Sequence, residues 1–238
     1  MDTRLWWVNP ATVALGPAAR ALLSEDERAR HQRYLLPRKQ HEYLVTRVLV
    51  RTLLGRALGV APQTLQFTRN AWGRPELQSP APLHFNVSHT EGLVVCLLSP
   101  HPEIGVDTEQ LSRGSDLLAL APTVFAAPEL RDLAALPASE QARRAVQLWT
   151  LKESYLKARG TGLALPLDGF AFRFDPDRMC LEVAPALQDD GARWQFQTHW
   201  LGAHCISTSL AGCGPQARGE ESAWLAQFPI ELERFSLP

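Results

Sequence analysis

Two short stretches hold the residues whose types and spacing could do chemistry. The first is Trp149-Thr150-Leu151-Lys152-Glu153-Ser154-Tyr155-Leu156-Lys157, with apolar Val146, Trp149 and Leu156 at helical spacing and no Gly or Pro before Gly160. A helix is predicted there, and it places the Glu153 carboxylate and the Lys157 ammonium on one face. The second is Ile104-Gly105-Val106-Asp107-Thr108-Glu109. Read as a strand, it puts Asp107 and Glu109 on one side and Val106 and Thr108 on the other. If that strand end packs on that helix, three carboxylates converge beside Lys152 and Lys157. Oxygen ligands of this kind suit Mg²⁺, and Mn²⁺ as well, while lysines suit phosphate oxygens as compact charges. Each stretch alone also fits an ordinary surface pair or strand end. Lysine usage favours chemistry: the chain has three lysines among 24 basic residues, and two of them stand here.

The elements that must position these groups can be read in order. Leu5 to Val8 is a short strand. Ser24 is an N-cap with Glu27 completing a capping box, and Arg28, Arg30 and Arg33 follow on that helix. Pro37 breaks the chain before a long helix, Gln40 to Leu58, which Gly59 caps. Leu65 to Thr68 alternates as a strand and leads into a turn at Trp72-Gly73-Arg74-Pro75, where glycine allows close backbone approach to a ligand. Leu83 to Val87 and Leu93 to Leu98 form a hairpin around Ser88-His89-Thr90-Glu91-Gly92. His89 at its tip fits either a polar loop residue or, beside Ser88, a hydrogen-bond donor to a phosphate. Helical pieces between Leu111 and Pro137 are interrupted by Pro122 and Pro128, and residues 139 to 158 form the motif helix. Phe170 to Phe174, Cys180 to Val183, Trp194 to Trp200 and His204 to Leu210 follow as strands, with a turn at Gly202. Trp224 to Phe228 is a short segment able to dock. The halves echo each other, with Arg47 to Val60 expected opposite Glu153 to Leu165, and Ser99-Pro100-His101-Pro102 as the boundary between them.

Composition narrows the function classes. With 238 residues there is material for one large or two small domains, and a net charge of -1 gives no general field for nucleic acid. No apolar run suits a membrane span, and Met1 to Pro10 lacks a secretory layout. Cys96, Cys180, Cys205 and Cys213 have no metal spacing and read as small buried apolar residues, so a reducing cytoplasm is expected. There is no GxxxxGK[ST] loop and no GxGxxG after a strand, which disfavours other nucleotide enzymes.

The run W-T-x-K-E-S-x-x-K followed by A-x-G-x-G-L, with I-G-V-D-x-E upstream, resembles the 4′-phosphopantetheinyl transferases, in particular their long, surfactin-synthetase-activating type. Trp72 to Pro75 and Leu83-His84-Phe85-Asn86-Val87-Ser88-His89-Thr90 match in the same order, and Arg30 to Arg51 matches more weakly. The resemblance implies an α+β pseudo-dimer of two similar halves, 1–102 and 103–238, each a long helix on a small antiparallel sheet with the site between them. It implies a cytoplasmic monomer that moves 4′-phosphopantetheine from coenzyme A to a serine of an acyl or peptidyl carrier protein and releases 3′,5′-ADP. Asp107, Glu109 and Glu153 would hold Mg²⁺ on the diphosphate. Glu153 would also be the general base, with a metal-bound water as the alternative proton acceptor. Lys157 would contact the pantetheine-side phosphate, and Lys152 would steady the site or the leaving oxygens. Arg30, Ser88 and His89 match contacts to the 3′-phosphate, whereas Arg69, Gly73, Arg74 and Asn86 would line adenine and ribose. Glu27 stands where some relatives have a lysine, weakening the 3′-phosphate subsite unless Arg28 or Arg38 substitutes. Thr108 replaces an aliphatic residue and should affect packing alone. Phe125, Arg143 and Arg144 are candidates for the carrier surface, with a solvated face the competing reading of the two arginines. A non-catalytic module that senses coenzyme A is the rival in another class.

Overall fold

The structure, a computed structural model, describes residues 2–78, 82–162, 165–175 and 179–211 and the backbone of 232–234. The stretch from Trp224 to Phe228, Cys213 and Leu163 of the glycine motif lie outside the described residues.

The first half opens with β1 (Arg4–Val8), α1 (Pro17–Ala21) and α2 (Glu25–Gln32). Both bonds of the expected capping box start α2, Ser24 Oγ accepting from Glu27 N and Glu27 Oε2 accepting from Ser24 N. α3 spans Pro37–Leu58, three residues earlier than expected, because Pro37 opens the first turn instead of breaking the chain. Gly59, with φ of 69°, ends it in the left-handed region. A ribbon of β2 (Phe67–Arg69) and β3 (Pro75–Leu77) follows, then the hairpin β4 (His84–Thr90) and β5 (Leu93–Ser99). The second half repeats this order: β6 (Ile104–Gln110), α4 (Gly114–Val124), α5 (Ala127–Ala135), α6 (Ala138–Arg159), the ribbon β7 (Phe170–Phe174) and β8 (Met179–Val183), and the hairpin β9 (Trp194–Leu201) and β10 (His204–Ala211). β11 (Leu232–Arg234) then returns to the first half and pairs in parallel with β1.

The sheets run β11-β1-β5-β4 and β6-β10-β9, so within each half the opening strand pairs with the closing strand of the hairpin. α3 covers the outer face of the first sheet through Val45, Leu49 and Leu53 on Val8, Phe85, Val94 and Cys96. α6 covers the second through Val146, Leu148 and Tyr155. Between the sheets lie Leu5, Val95 and Leu97 from one and Val106, Ile206 and Leu210 from the other. The molecule is thus an α+β pseudo-dimer in four layers. Gly160, with φ of 68°, ends α6 as Gly59 ends α3, and both helices have 22 residues. Glu153 therefore falls opposite Thr52 and Lys152 opposite Arg51, a different alignment of the halves from the one expected.

Equivalence reaches into the core. Glu27, at the third position of α2, pairs with Arg51 Nε at 2.6 Å, and Arg51 donates through Nη1 to Pro62 O and Leu65 O. Glu129, at the third position of α5, pairs with Lys152 Nζ at 2.8 Å, and Lys152 donates to Leu167 O and Phe170 O. Each carboxylate also accepts from the backbone at its own helix start, and each cation pins the segment beyond its helix. Cys96 and Cys205 are buried as expected, while Cys180 is half-buried. Among the described residues, no helix is long and apolar enough to cross a membrane.

Candidate active site

α6 lies close against β6 because Gly105 has no side chain: a Cβ there would sit 1.9 Å from Ser154 O and 2.6 Å from Ala158 N. Buried hydroxyl pairs hold the same helix to β10, Ser154 to Ser209 and Thr150 to Ser207, each at 2.7 Å. This close seating brings Lys157 onto Asp107. Its Nζ donates to Asp107 Oδ1 at 2.7 Å, to Ser88 Oγ at 2.9 Å and to Val106 O at 3.1 Å.

The junction between the halves is a row of side-chain bonds from β4 to β6. Asn86 Oδ1 accepts from Val106 N, Ser88 Oγ donates to Asp107 Oδ1 at 2.7 Å, and Thr90 Oγ1 donates to Glu109 Oε1 at 2.8 Å. The half-buried Glu153 side chain makes no hydrogen bond or ion pair among the described residues. Burial, and then the Asp107 charge, push its carboxyl above the usual range despite Lys157. Asp107, Glu153, Lys157 and Ser88 therefore converge. Glu109 stands one step away, with Gln110 N and Thr90 as donors and Arg113 3.9 Å off. Among the described residues, no group of three or more His, Cys, Asp and Glu is close enough to hold a metal ion by itself.

His89 lies within β4 and not at the hairpin tip, which is Glu91-Gly92. The strand period turns Ser88 and His89 to opposite faces. Ser88 faces β6, and His89 Nε2 is 3.3 Å from Glu42 on α3, whose carboxylate also receives Lys39 Nζ at 3.0 Å. Burial lowers the His89 pKa against the pull of Glu42. Neither Glu42 nor Lys39 was singled out from sequence, although Lys39 is the third lysine of this lysine-poor chain.

Lys152 is not at this junction. Its side chain is wholly buried on Glu129, and burial acts on both partners, pushing the Glu129 carboxyl up and the Lys152 ammonium down. The helix period explains the misreading: Lys152 and Glu153 are neighbours that face different ways. Glu27 likewise faces inward, to Arg47 and Arg51. Arg28 donates to Leu23 O, and Arg38 pairs with Glu91. Arg30 joins Asp26, Arg33, Tyr34 and Arg69 around a recess of about 480 Å³.

A second cleft, of about 240 Å³, runs between the halves. Trp72, Gly73, Arg74 and Pro75 line one wall, Phe85, Asn86 and Val87 the floor, and Lys157, Gly160 and Gly162 the other wall. Gly73, with φ of 83°, makes the turn, and Arg69 Nη1 donates to its carbonyl at 2.8 Å. Trp72 is 60% exposed at the rim. Thr108 faces away from the acids, donating to Cys205 O. Phe125, expected on a partner surface, is buried in the α6 core. Arg143 stacks 3.6 Å over Trp200, and Arg144 pairs with Asp132.

Comparison with known proteins agrees with this architecture. Residues 103–209 match the family model described as the 4′-phosphopantetheinyl transferase superfamily, and residues 7–101 match the one described as 4′-phosphopantetheinyl transferase, N-terminal. A Synechocystis protein provisionally named a 4′-phosphopantetheinyl transferase is 33% identical over 98% of this chain and 97% of its own. The 4′-phosphopantetheinyl transferase HetI of Nostoc is 35% identical over 83% of this chain and 82% of its own. The transferase Sfp of Bacillus subtilis is 32% identical over 66% and 69%. The chain belongs to the 4′-phosphopantetheinyl transferase superfamily. Within it, similarity to Sfp and HetI places the chain with the long, two-half type.

Proposed function

We propose that the protein moves the 4′-phosphopantetheine arm of coenzyme A onto a serine hydroxyl of an acyl or peptidyl carrier protein, working as a monomer whose halves divide at residues 102 and 103. The observation that carries this reading is the convergence of Asp107, Glu153, Lys157 and Ser88 where α6 meets the β4–β6 junction. The serine oxygen forms a bond to the pantetheine-side phosphorus. The phosphoanhydride bond breaks, 3′,5′-ADP leaves, and the serine proton passes to a base.

Glu153 supplies that base: its carboxyl has no internal partner, and burial favours its holding a proton. Lys157 neutralises diphosphate oxygens and is held in place by Ser88 and Asp107. Asp107, paired with Lys157 and Ser88, and the unpartnered Glu153 lie beside each other, and two such carboxylates fit a divalent cation completed by substrate oxygens and water. Asp107 and Glu153 would hold Mg²⁺ or Mn²⁺, with Glu109 two residues on along β6, and such an ion would supply charge neutralisation of the diphosphate. The cleft between Trp72–Pro75 and Gly160–Gly162 suits the nucleoside, with Trp72 free to stack. The recess of Arg30, Arg33 and Arg69 offers cationic contacts for the 3′-phosphate, and the His89 imidazole a hydrogen bond.

Calorimetry with coenzyme A and dephospho-coenzyme A tests the nucleotide side. The reading predicts tighter binding of coenzyme A, and a preference that shrinks in His89→Ala. Equal affinity for the two ligands in the unaltered protein would remove the 3′-phosphate subsite.

A further inference from the structure

A helix leaves its last carbonyls without partners inside the helix. At the end of α6, Gly160 N turns back to Leu156 O and Lys157 O. Three carbonyls at this end accept from the other half of the molecule. Arg74 Nη1 donates to Lys157 O at 2.8 Å and to Ala158 O at 3.3 Å, and Asn70 Nδ2 donates to Gly160 O at 3.1 Å. Asn70 also builds the turn that carries Arg74, since its Oδ1 accepts from Trp72 N and Arg74 N, both at 2.9 Å. A guanidinium at the negative end of a 22-residue helix is electrostatically favoured there. The residue whose carbonyl Arg74 holds is Lys157, and the ammonium of that same residue reaches Asp107 and Ser88.

We propose that Arg74 and Asn70 are positioning residues that clamp the last turn of α6, so that the nucleotide-side turn sets where the Lys157 ammonium stands against Asp107 and the coenzyme A diphosphate. This deepens the transferase reading and rests on it. It gives Arg74 a different job from the nucleotide contact that the family resemblance implies, because its Nη1 is committed to helix carbonyls and its Nε is buried.

A double-mutant cycle on kcat/KM for coenzyme A, with an apo carrier protein as acceptor, tests this. If Arg74 works through Lys157, Arg74→Gln costs about tenfold or more in the Lys157 background and less than about threefold once Lys157→Gln is present, since residues that act through each other are not additive. Arg74→Lys, which keeps a charge and a donor at the helix end, recovers part of the loss. A loss of the same size in both backgrounds would mean that Arg74 acts on the nucleotide directly and would overturn the proposal. Should Arg74→Gln fail to fold, Asn70→Ala enters the same cycle with the same two outcomes. Absence of transfer by the unaltered protein would count against the transferase reading itself, a result distinct from an additive cycle in an active enzyme.

Discussion

Lys152 and Glu153 are adjacent in the chain, yet the helix turns their side chains about 100° apart. One faces Glu129 in the core, and the other faces Asp107 at the junction. Their substitutions should fail in opposite ways. Glu153→Gln is expected to lower transfer by about 10²–10⁴-fold, the usual worth of a positioned base, with an unchanged urea midpoint. Lys152→Met leaves a buried carboxylate alone and is expected to cost about 3–5 kcal/mol of stability, with the KM for coenzyme A unchanged in the folded protein. A raised KM at full stability would return Lys152 to the diphosphate. The acids and Lys157 were legible in the sequence because periodicity fixes which side of an element a residue takes. Burial of Lys152 was not, because its partner lies on another helix.

The close seating of α6 on β6 belongs to the scale of elements. Gly105→Ala would push Ser154 O, and with it the helix, away from the strand. We expect a loss of about 1–3 kcal/mol from the forced contact and about 10²-fold in single-turnover transfer, the penalty of roughly 1 Å of misplacement. Unchanged transfer would mean that the helix position is not what brings Lys157 and Glu153 to Asp107. Acid sensitivity comes from α2 on α3. Burial raises the Glu27 carboxyl, but Arg47, Arg51 and the Ser24 N–H together hold it below the ordinary value. A lowered folded-state pKa adds stability that is present above the unfolded value and lost as pH falls through the folded one. Urea unfolding should therefore separate the unaltered protein from Glu27→Gln widely at neutral pH and less and less as the pH drops below about 4.5. A constant gap would contradict the ion pair. In sequence, Ser24 and Glu27 announced the cap, whereas the inward turn of Glu27 toward Arg51 depends on a helix starting ten or more residues later.

At the scale of the molecule, two similar halves produce one site. Read through the hairpin registers, the counterparts of Asp107 and Glu109 on β1 are Trp6 and Val8, which pair with Cys96 and Val94 as the acids pair with Ser207 and Cys205. The first half lends the outer strand of its hairpin, β4, to β6; the matching strand β9 has no such neighbour among the described strands, and β11 occupies the β1 edge. The halves are thus joined head to tail, an arrangement that closes only if its free edges are covered. The order of helix, ribbon and hairpin could be read in both halves of the sequence. Their true alignment could not, since it rests on the left-handed caps Gly59 and Gly160 and on the buried pairs Glu27–Arg51 and Glu129–Lys152, which replace one another without sharing a residue type at the cation.

The measurement that tests the central claim most directly is intact-mass analysis of apo carrier proteins of acyl, polyketide and peptidyl type, incubated with this protein, coenzyme A and Mg²⁺. The account predicts a gain of one phosphopantetheine on at least one carrier, abolished by chelator and by Glu153→Gln. No gain on any carrier, with coenzyme A still bound, would contradict it and favour a module that senses coenzyme A without reacting.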